Sequence, residues 1–227
     1  MPTNNTHKDW NQFKGKTIPG NLYPQPVFYK NVRRGQPIVD IGCGAGRICF
    51  ELRNRGYGPI TGLDQNEHCI RFANKKLGES NNDKYKECQF HKGDALDTGF
   101  RDNEFKAGLM MAVLTTLTNP EDRLQALREA RRMIRSGGGL YLAVFMQSWH
   151  NPIYYQRYIK GEKETGEFGS FIGKDKSGQI SFQAHHFSER ELVDLLSEAR
   201  FKIEYWEYMV IETQNGNQVN GAAVWAV

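Results

Sequence analysis

Between residues 39 and 47 the chain reads Val39-Asp40-Ile41-Gly42-Cys43-Gly44-Ala45-Gly46-Arg47, three glycines at alternate positions behind an acid and ahead of a base. A glycine loop between a strand and a helix brings backbone N–H groups close to a ligand, which is the chemistry of cofactor binding. The spacing selects the ligand. A dinucleotide fingerprint puts its third glycine three residues after the second, so that a pyrophosphate rests on the helix N-terminus, whereas Gly46 follows Gly44 by two. Asp40 stands two residues before the first glycine, where it repels a pyrophosphate but suits a cationic amino group, directly or through water.

Two more carboxylates stand at strand ends. Asp64 closes Ile60-Thr61-Gly62-Leu63-Asp64-Gln65, where it can accept two hydrogen bonds from a ribose diol. Asp94, in Gly93-Asp94-Ala95, suits an exocyclic adenine amine, with the neighbouring backbone reading the ring edge. Each feature alone has a plainer reading: a tight turn for the glycines, a strand-end turn for Gly62 and Asp64, a polar loop for Asp94. Together they offer partners for an amino acid, a ribose and an adenine in that order, all at the carboxyl ends of consecutive strands.

Positioning them requires an alternation of strands and helices. Pro37–Ile41, Pro59–Leu63, Cys88–His91, Lys106–Met110 and Leu140–Met146 read as strands, and Arg47–Arg55, Glu67–Leu77 and Pro120–Ile134 as helices between them. Such alternation means parallel strands joined by right-handed crossovers. In the 120–134 helix Leu124, Leu127, Ala130, Met133 and Ile134 recur at three- and four-residue steps, and Arg123, Arg128, Arg131, Arg132 and Arg135 are assigned to solvent. Gly137, Gly138 and Gly139 are expected to stop it. Ser188 and Glu191 have the form of a capping box, opening a helix over about 189–199. Two strand-like runs follow, Lys202–Glu212 and Gln218–Val227, and Asn215-Gly216-Asn217 between them marks a hairpin.

Residues 147–186 interrupt this pattern with a polar, aromatic stretch, long enough to be a lid or small subdomain over the site. At the other end residues 1–34 carry six basic side chains against the single acid Asp9, interleaved with Trp10, Phe13, Tyr23, Phe28 and Tyr29. That segment either lies over an anionic ligand or solvates a helix docked by its aromatic face. The expectation is one domain, 1–227, with 1–34 as an N-terminal lid segment and 147–186 as an insert over the active site.

Composition bounds the rest. With 227 residues, 39% hydrophobic and 25% charged, the chain is neither disordered nor collagenous. No apolar run is long enough for a bilayer helix and the start lacks the order of a signal peptide, so no membrane partner and a cytoplasmic location are expected. The cysteines at 43, 49, 69 and 88 lack paired CxxC spacing, so neither metal nor disulfide framework is indicated.

On the glycine loop, Asp64 and Asp94, the sequence resembles the class I S-adenosylmethionine-dependent methyltransferases, in their small-molecule, type 11-like branch, over residues 36–146 and more loosely over 185–227. The resemblance implies an α/β fold: a Rossmann-like three-layer sandwich with a mostly parallel seven-stranded sheet and a C-terminal antiparallel hairpin. It implies S-adenosylmethionine as cofactor and S-adenosylhomocysteine as product. Asp40, Gly42, Gly44 and Gly46 would cradle the methionine part with Arg47 near its carboxylate. Asp64 would take the ribose hydroxyls with Gln65 beside it, Asp94 and Ala95 would face the adenine, and Met111 would line the cofactor. The Asn-Pro-Pro-aromatic signature of enzymes that methylate planar amide or adenine nitrogens is absent. Thr115 and Thr116 stand where many small-molecule members carry a His pair.

A small-molecule acceptor is the expected partner, held near Tyr23 and Tyr29 on one side and His150, Tyr154 and His186 on the other. No catalytic residue is assigned, although His150, His185, His186 or Tyr155 could act as a base. An RNA methyltransferase is the alternative, suggested by the basic N-terminus. It is weakened by an insert with five basic side chains against four acids. A further alternative is a non-catalytic protein that binds the cofactor and regulates a partner. The oligomeric state has no sequence signal.

Overall fold

The computed structural model describes residues 10, 12, 22–79, 85–175, 178, 181–213 and 216–227. Most of the 1–34 segment and the Asn215 turn therefore lie outside the described residues. Five strands, β1 (Ile38–Ile41), β2 (Ile60–Asp64), β3 (Cys88–Lys92), β4 (Phe105–Met111) and β5 (Ile134–Phe145), pair in parallel. Strand β9 (Gln218–Ala226) joins β5 antiparallel, and β8 (Ile203–Glu212) closes the edge against β9. The order β3-β2-β1-β4-β5-β9-β8 reverses direction between β1 and β4. This is the mostly parallel, seven-stranded architecture with a C-terminal antiparallel pair.

Helices cover both faces, as parallel sheets require. Strand β1 shows why: Val39 and Ile41 pack on one face with Leu127 and Leu142, while Ile38 packs on the other with Leu52 and Tyr141, all buried. Six described helices flank the strands named so far: α1 (Pro26–Asn31), α2 (Arg47–Asn54), α3 (Glu67–Glu79), the single turn α4 (Val113–Thr116), α5 (Pro120–Met133) and, late in the chain, α7 (Glu189–Glu198).

The 147–186 stretch is built rather than loose. It holds helix α6 (Pro152–Thr165) and a separate antiparallel hairpin of β6 (Ser170–Lys174) and β7 (Ser181–His185). Asn151 caps α6 through its side chain, accepting from the N–H groups of Ile153 and Tyr154, and Pro152 occupies the first helical position. Gly161 is needed where α6 crosses β6, because a Cβ there would run into the Ser170 carbonyl.

Three local expectations change. Helix α5 ends at Met133, and Gly137, Gly138 and Gly139 lie inside β5 instead of just past the helix. The register slips between the Phe105–Ile134 and Ala107–Gly139 pairs, and glycine is required at 139 because the Trp225 ring occupies the place of its Cβ. Arg123 does not face solvent but is fully buried. Ser188 caps α7 by accepting from the Glu191 N–H, yet the Glu191 carboxylate turns to His185 and Arg123.

Candidate active site

A cavity opens at the carboxyl ends of the strands, where the order reverses between β1 and β4. Its walls come from consecutive strand ends: Gly42 and Gly44 after β1, Asp64, Gln65 and Asn66 at and after β2, Gly93, Asp94 and Ala95 after β3, and Met111 at the end of β4.

The glycine loop is hooked to the end of β2. The N–H groups of Gly42 and Cys43 both donate to the Leu63 carbonyl, at 2.7 and 2.9 Å, and Gly44 N–H donates to Asp64 Oδ2 at 2.7 Å. Gly42 and Gly46 adopt left-handed backbone at φ 72° and 78°. A Cβ at Gly46 would sit 2.6 Å from the Phe90 ring, and one at Gly42 would strike Val113. Both conformation and space therefore demand glycine. Asp64 Oδ1 accepts from Asn66 N–H at 2.8 Å. The Asn66 side chain then caps α3 by accepting from His68 and Cys69 N–H groups. Burial raises the Asp64 carboxyl above its ordinary range, against the lowering effect of these two backbone donors.

Below the loop lie the two charged residues that flank the glycines. Asp40 is 1% exposed. Its Oδ2 accepts from the Cys49 thiol at 3.3 Å, while Oδ1 has no partner. Burial pushes its carboxyl up to about 7, opposed by the Cys49 hydrogen bond and the Arg47 charge. Arg47 begins α2; its Nη2 donates to the Leu22 carbonyl at 2.8 Å and its guanidinium lies 4.5 Å from the centre of the Tyr23 ring. Its Nη1 is buried without a partner. Asp40, Gly46 and Arg47 do not themselves line the cavity; a buried, unpaired oxygen of Asp40 and a buried, unpaired nitrogen of Arg47 stand at the two ends of the glycine loop, where a Cβ at Gly42 or Gly46 would clash. An amino acid supplies both missing partners, an ammonium and a carboxylate. The residues present thus fit the methionine end of S-adenosylmethionine.

The far wall is apolar: Ala112, Val113 and Leu117 line it with Thr116. Ala112 turns the chain from β4 into α4 with a left-handed φ of 62°, a conformation that non-glycine residues seldom adopt. Trp10 reaches the same cavity from the N-terminal segment. Its carbonyl accepts from Asn66 Nδ2 at 3.0 Å, and its ring meets that of Phe182 on β7 with centroids 5.3 Å apart. The N-terminal segment and the insert therefore touch at the cavity.

The expected acceptor residues distribute differently. Tyr23 stays on the site's side, over Arg47. Tyr29 does not: it packs on Tyr57 and Arg55, at the amino ends of the strands, because buried Phe28 docks α1 against Tyr141 and Trp225. His150 is exposed in the turn ahead of α6. Tyr154 and His186 are buried in a packed aromatic cluster. There the His186 ring stacks on Phe145 and Tyr154, and its Nδ1 lies 2.8 Å from the Tyr158 hydroxyl. Burial holds the His186 imidazole well below its ordinary range, so it is neutral. These two rings fasten the insert to the end of β5 and do not line the cavity. Sequence reasoning misses Trp10, Asn66, Cys69 and Leu117 as site residues. Of these, only Asn66, a helix-capping type two residues after Asp64, carries a local signal.

A second polar cluster joins the insert to α5 and α7. Glu167, His185 and Glu191 bring ligand-type atoms within 4.8 Å of one another, but the Arg123 guanidinium already engages both Glu167 oxygens, at 2.6 and 2.7 Å.

Residues 39–142 match a family described as a methyltransferase domain. The crystal structure of an S-adenosylmethionine-dependent methyltransferase from Methanosarcina mazei is 34% identical, with a TM-score of 0.84 over 90% of this chain and 98% of that one. Demethylmenaquinone methyltransferase of Staphylococcus carnosus is 30% identical over 182 residues, 75% of this chain and 70% of that protein. The chloroplastic 2-phytyl-1,4-beta-naphthoquinone methyltransferase of Arabidopsis thaliana is 28% identical over 135 residues, and the match spans 51% of its length.

Proposed function

Because the chain belongs to the S-adenosylmethionine-dependent methyltransferases, in their type 11 branch, we propose that it methylates a small, planar, largely apolar acceptor by in-line displacement. The observation that carries this reading is the meeting of Trp10 and Phe182 at a cavity whose far wall is Ala112, Val113 and Leu117. Such a wall accepts a ring. The relatives named for naphthoquinone and menaquinone precursors make a reduced naphthoquinone ring the acceptor of choice.

The bound cofactor supplies a methyl group already activated on a sulfonium, so placement of the acceptor and exclusion of water account for most of the catalysis. In this reading Asp40 and Arg47 hold the ammonium and carboxylate of the methionine part against the glycine loop, and Asp64, with Gln65 beside it, takes the ribose hydroxyls. Asp94 and Ala95 face the adenine, Met111 packs along the cofactor, and Trp10 and Phe182 keep water from the acceptor side. Among the described residues no histidine lines the cavity, so this reading gives no step to His150 or His186.

The test is label transfer. With methyl-labelled S-adenosylmethionine, incorporation into reduced 2-prenyl-1,4-naphthoquinone is expected, and none into bulk tRNA or rRNA. Tight RNA binding that falls steeply with salt, together with label in RNA, overturns the small-molecule reading. Cofactor binding with no turnover of either acceptor favours a non-catalytic role. Calorimetry should show heat with S-adenosylmethionine and none with NAD.

Asp40 supplies a pH signature for the same site. Its carboxyl is raised to about 7, so in the free protein the proton it holds contributes stability at low pH that is lost as pH rises towards 7. Binding an ammonium reverses the preference, because the anion is the form that pairs. Affinity for S-adenosylmethionine should therefore improve roughly tenfold between pH 5.5 and 7, below the titration of an α-amino group. Binding should release a proton, and Asp40→Asn should flatten the profile. A pH-independent affinity in the wild type places the ammonium elsewhere.

A further inference from the structure

The far wall of the cavity carries one polar side chain, and the only proton of that side chain is already committed. Thr116 lines the cavity between Val113 and Leu117, partly buried, in the turn that follows the left-handed Ala112. Of Ala112, Val113, Thr116 and Leu117 it alone has a hydroxyl. That hydroxyl donates to the Val113 carbonyl at 2.7 Å. The short length of α4 explains the bond. In a longer α-helix the Leu117 N–H would reach back four residues to Val113, but α4 has only four residues, and the Leu117 N–H bonds the Leu114 carbonyl at 3.3 Å instead. The Thr116 proton serves the carbonyl that the single turn leaves without its usual amide.

A hydroxyl has one hydrogen and two lone pairs. With the hydrogen held by Val113, Thr116 Oγ1 offers a ligand lone pairs only. Neighbouring polar groups have other duties: Asp64 receives the Gly44 and Asn66 N–H groups, and the Asn66 side chain caps α3 and holds the Trp10 carbonyl.

An aromatic diol and its dione have nearly the same size and shape, so the apolar part of the wall does not tell them apart. The hydroxyl oxygen does. A ring that presents an O–H gives its proton to Thr116. A ring that presents a carbonyl sets two acceptors face to face, and turning the Thr116 hydrogen towards it strips Val113 of its donor, so that no bond is gained. We propose that Thr116 selects the oxidation state of the acceptor, admitting a ring hydroxyl and discriminating against the corresponding ring carbonyl. The inference rests on the aromatic-acceptor reading above and extends it from the shape of the acceptor to the atom it presents.

Calorimetric titration of the protein loaded with S-adenosylhomocysteine, in the absence of air, tests this with 2,3-dimethyl-1,4-naphthalenediol and 2,3-dimethyl-1,4-naphthoquinone. Methyl groups block the ring carbons next to the oxygens, which keeps the dione from adding to the thiol of Cys69 in the cavity. The diol should bind about tenfold more tightly than the dione. Thr116→Val keeps the volume and removes the lone pairs, and the ratio should fall to about twofold or less. Thr116→Ser keeps the hydroxyl and should restore it. A wall merely distorted by substitution weakens both rings alike and leaves the ratio where it was. Thr116→Ala gives the same reading if the valine variant fails to fold. Equal affinities in the wild type, a ratio retained without the hydroxyl, a ratio lost in Thr116→Ser, or no binding of either ring each overturn the proposal. The wild-type methyl-transfer test has its own outcome whichever way this ratio falls, so failure of the selection is told apart from failure of the acceptor reading.

Discussion

Asp64→Ala should weaken binding of S-adenosylmethionine by about 1.5 to 3 kcal/mol, the range for removing a charged hydrogen-bond partner, or roughly 10- to 150-fold in Kd. In the proposed reading Asp64 performs two tasks from one position at the end of β2. Its oxygens receive the N–H groups of Gly44 and Asn66 at 2.7 and 2.8 Å, which holds the glycine loop against the strand that follows it. A carboxylate has further acceptor capacity, and that remainder faces the cavity. Alanine leaves the Gly44 amide unpaired as well as the ligand unrecognised. The substitution Asp64→Asn keeps one acceptor oxygen and should lose less. Titration calorimetry measures both, and thermal unfolding separates a loosened loop from a lost contact. An affinity unchanged in Asp64→Ala would put the ribose elsewhere.

That prediction rests on residues close in sequence to a strand end, which is why it is open to sequence reasoning. The alternation of strands and helices from β1 to β5, the glycine loop and the strand-end acids are local patterns, and local patterns set the parallel sheet and the side on which its cavity opens. Helix α6 also carries a local signal, Asn151 followed by Pro152, with Tyr154, Tyr158 and Gly161 buried at helical spacing. Its many charged and polar residues hide the period. Other features depend on partners far along the chain. Trp10 reaches the cavity through Asn66 and Phe182, in different elements. Tyr29 has the type and charge context of a site residue, but a six-residue helix has one docking face, and Phe28 takes it. The Arg-rich stripe of α5 illustrates the same limit. Its four arginines have the same local appearance; Arg128 and Arg132 meet Glu198 and Asp102 at the surface, whereas Arg123 is buried against Glu167 and Glu191, 44 and 68 residues away.

Arg123→Ala is the substitution expected to cost the fold most. A buried ion pair adds little over a well-packed apolar group, since desolvation offsets the attraction, but removing one partner leaves the other charges uncompensated at about 3 to 5 kcal/mol. Glu167 and Glu191 are 22% and 29% exposed and recover some hydration, so a loss near 3 kcal/mol is expected, about 6 to 12 °C in Tm for a chain of this length. The carbonyls of Leu117 and Thr118 lose their donors in the same step. Arg123→Met with Glu167→Gln and Glu191→Gln tests whether the damage comes from orphaned charge. The triple variant should recover part of the stability lost in Arg123→Ala, because it removes the two carboxylates that the guanidinium had neutralised while filling its volume. Denaturant unfolding of the three proteins measures the difference. Equal losses in the single and triple variants would mean that Arg123 serves the fold through the Leu117 and Thr118 carbonyls, and that the charges across from it are incidental.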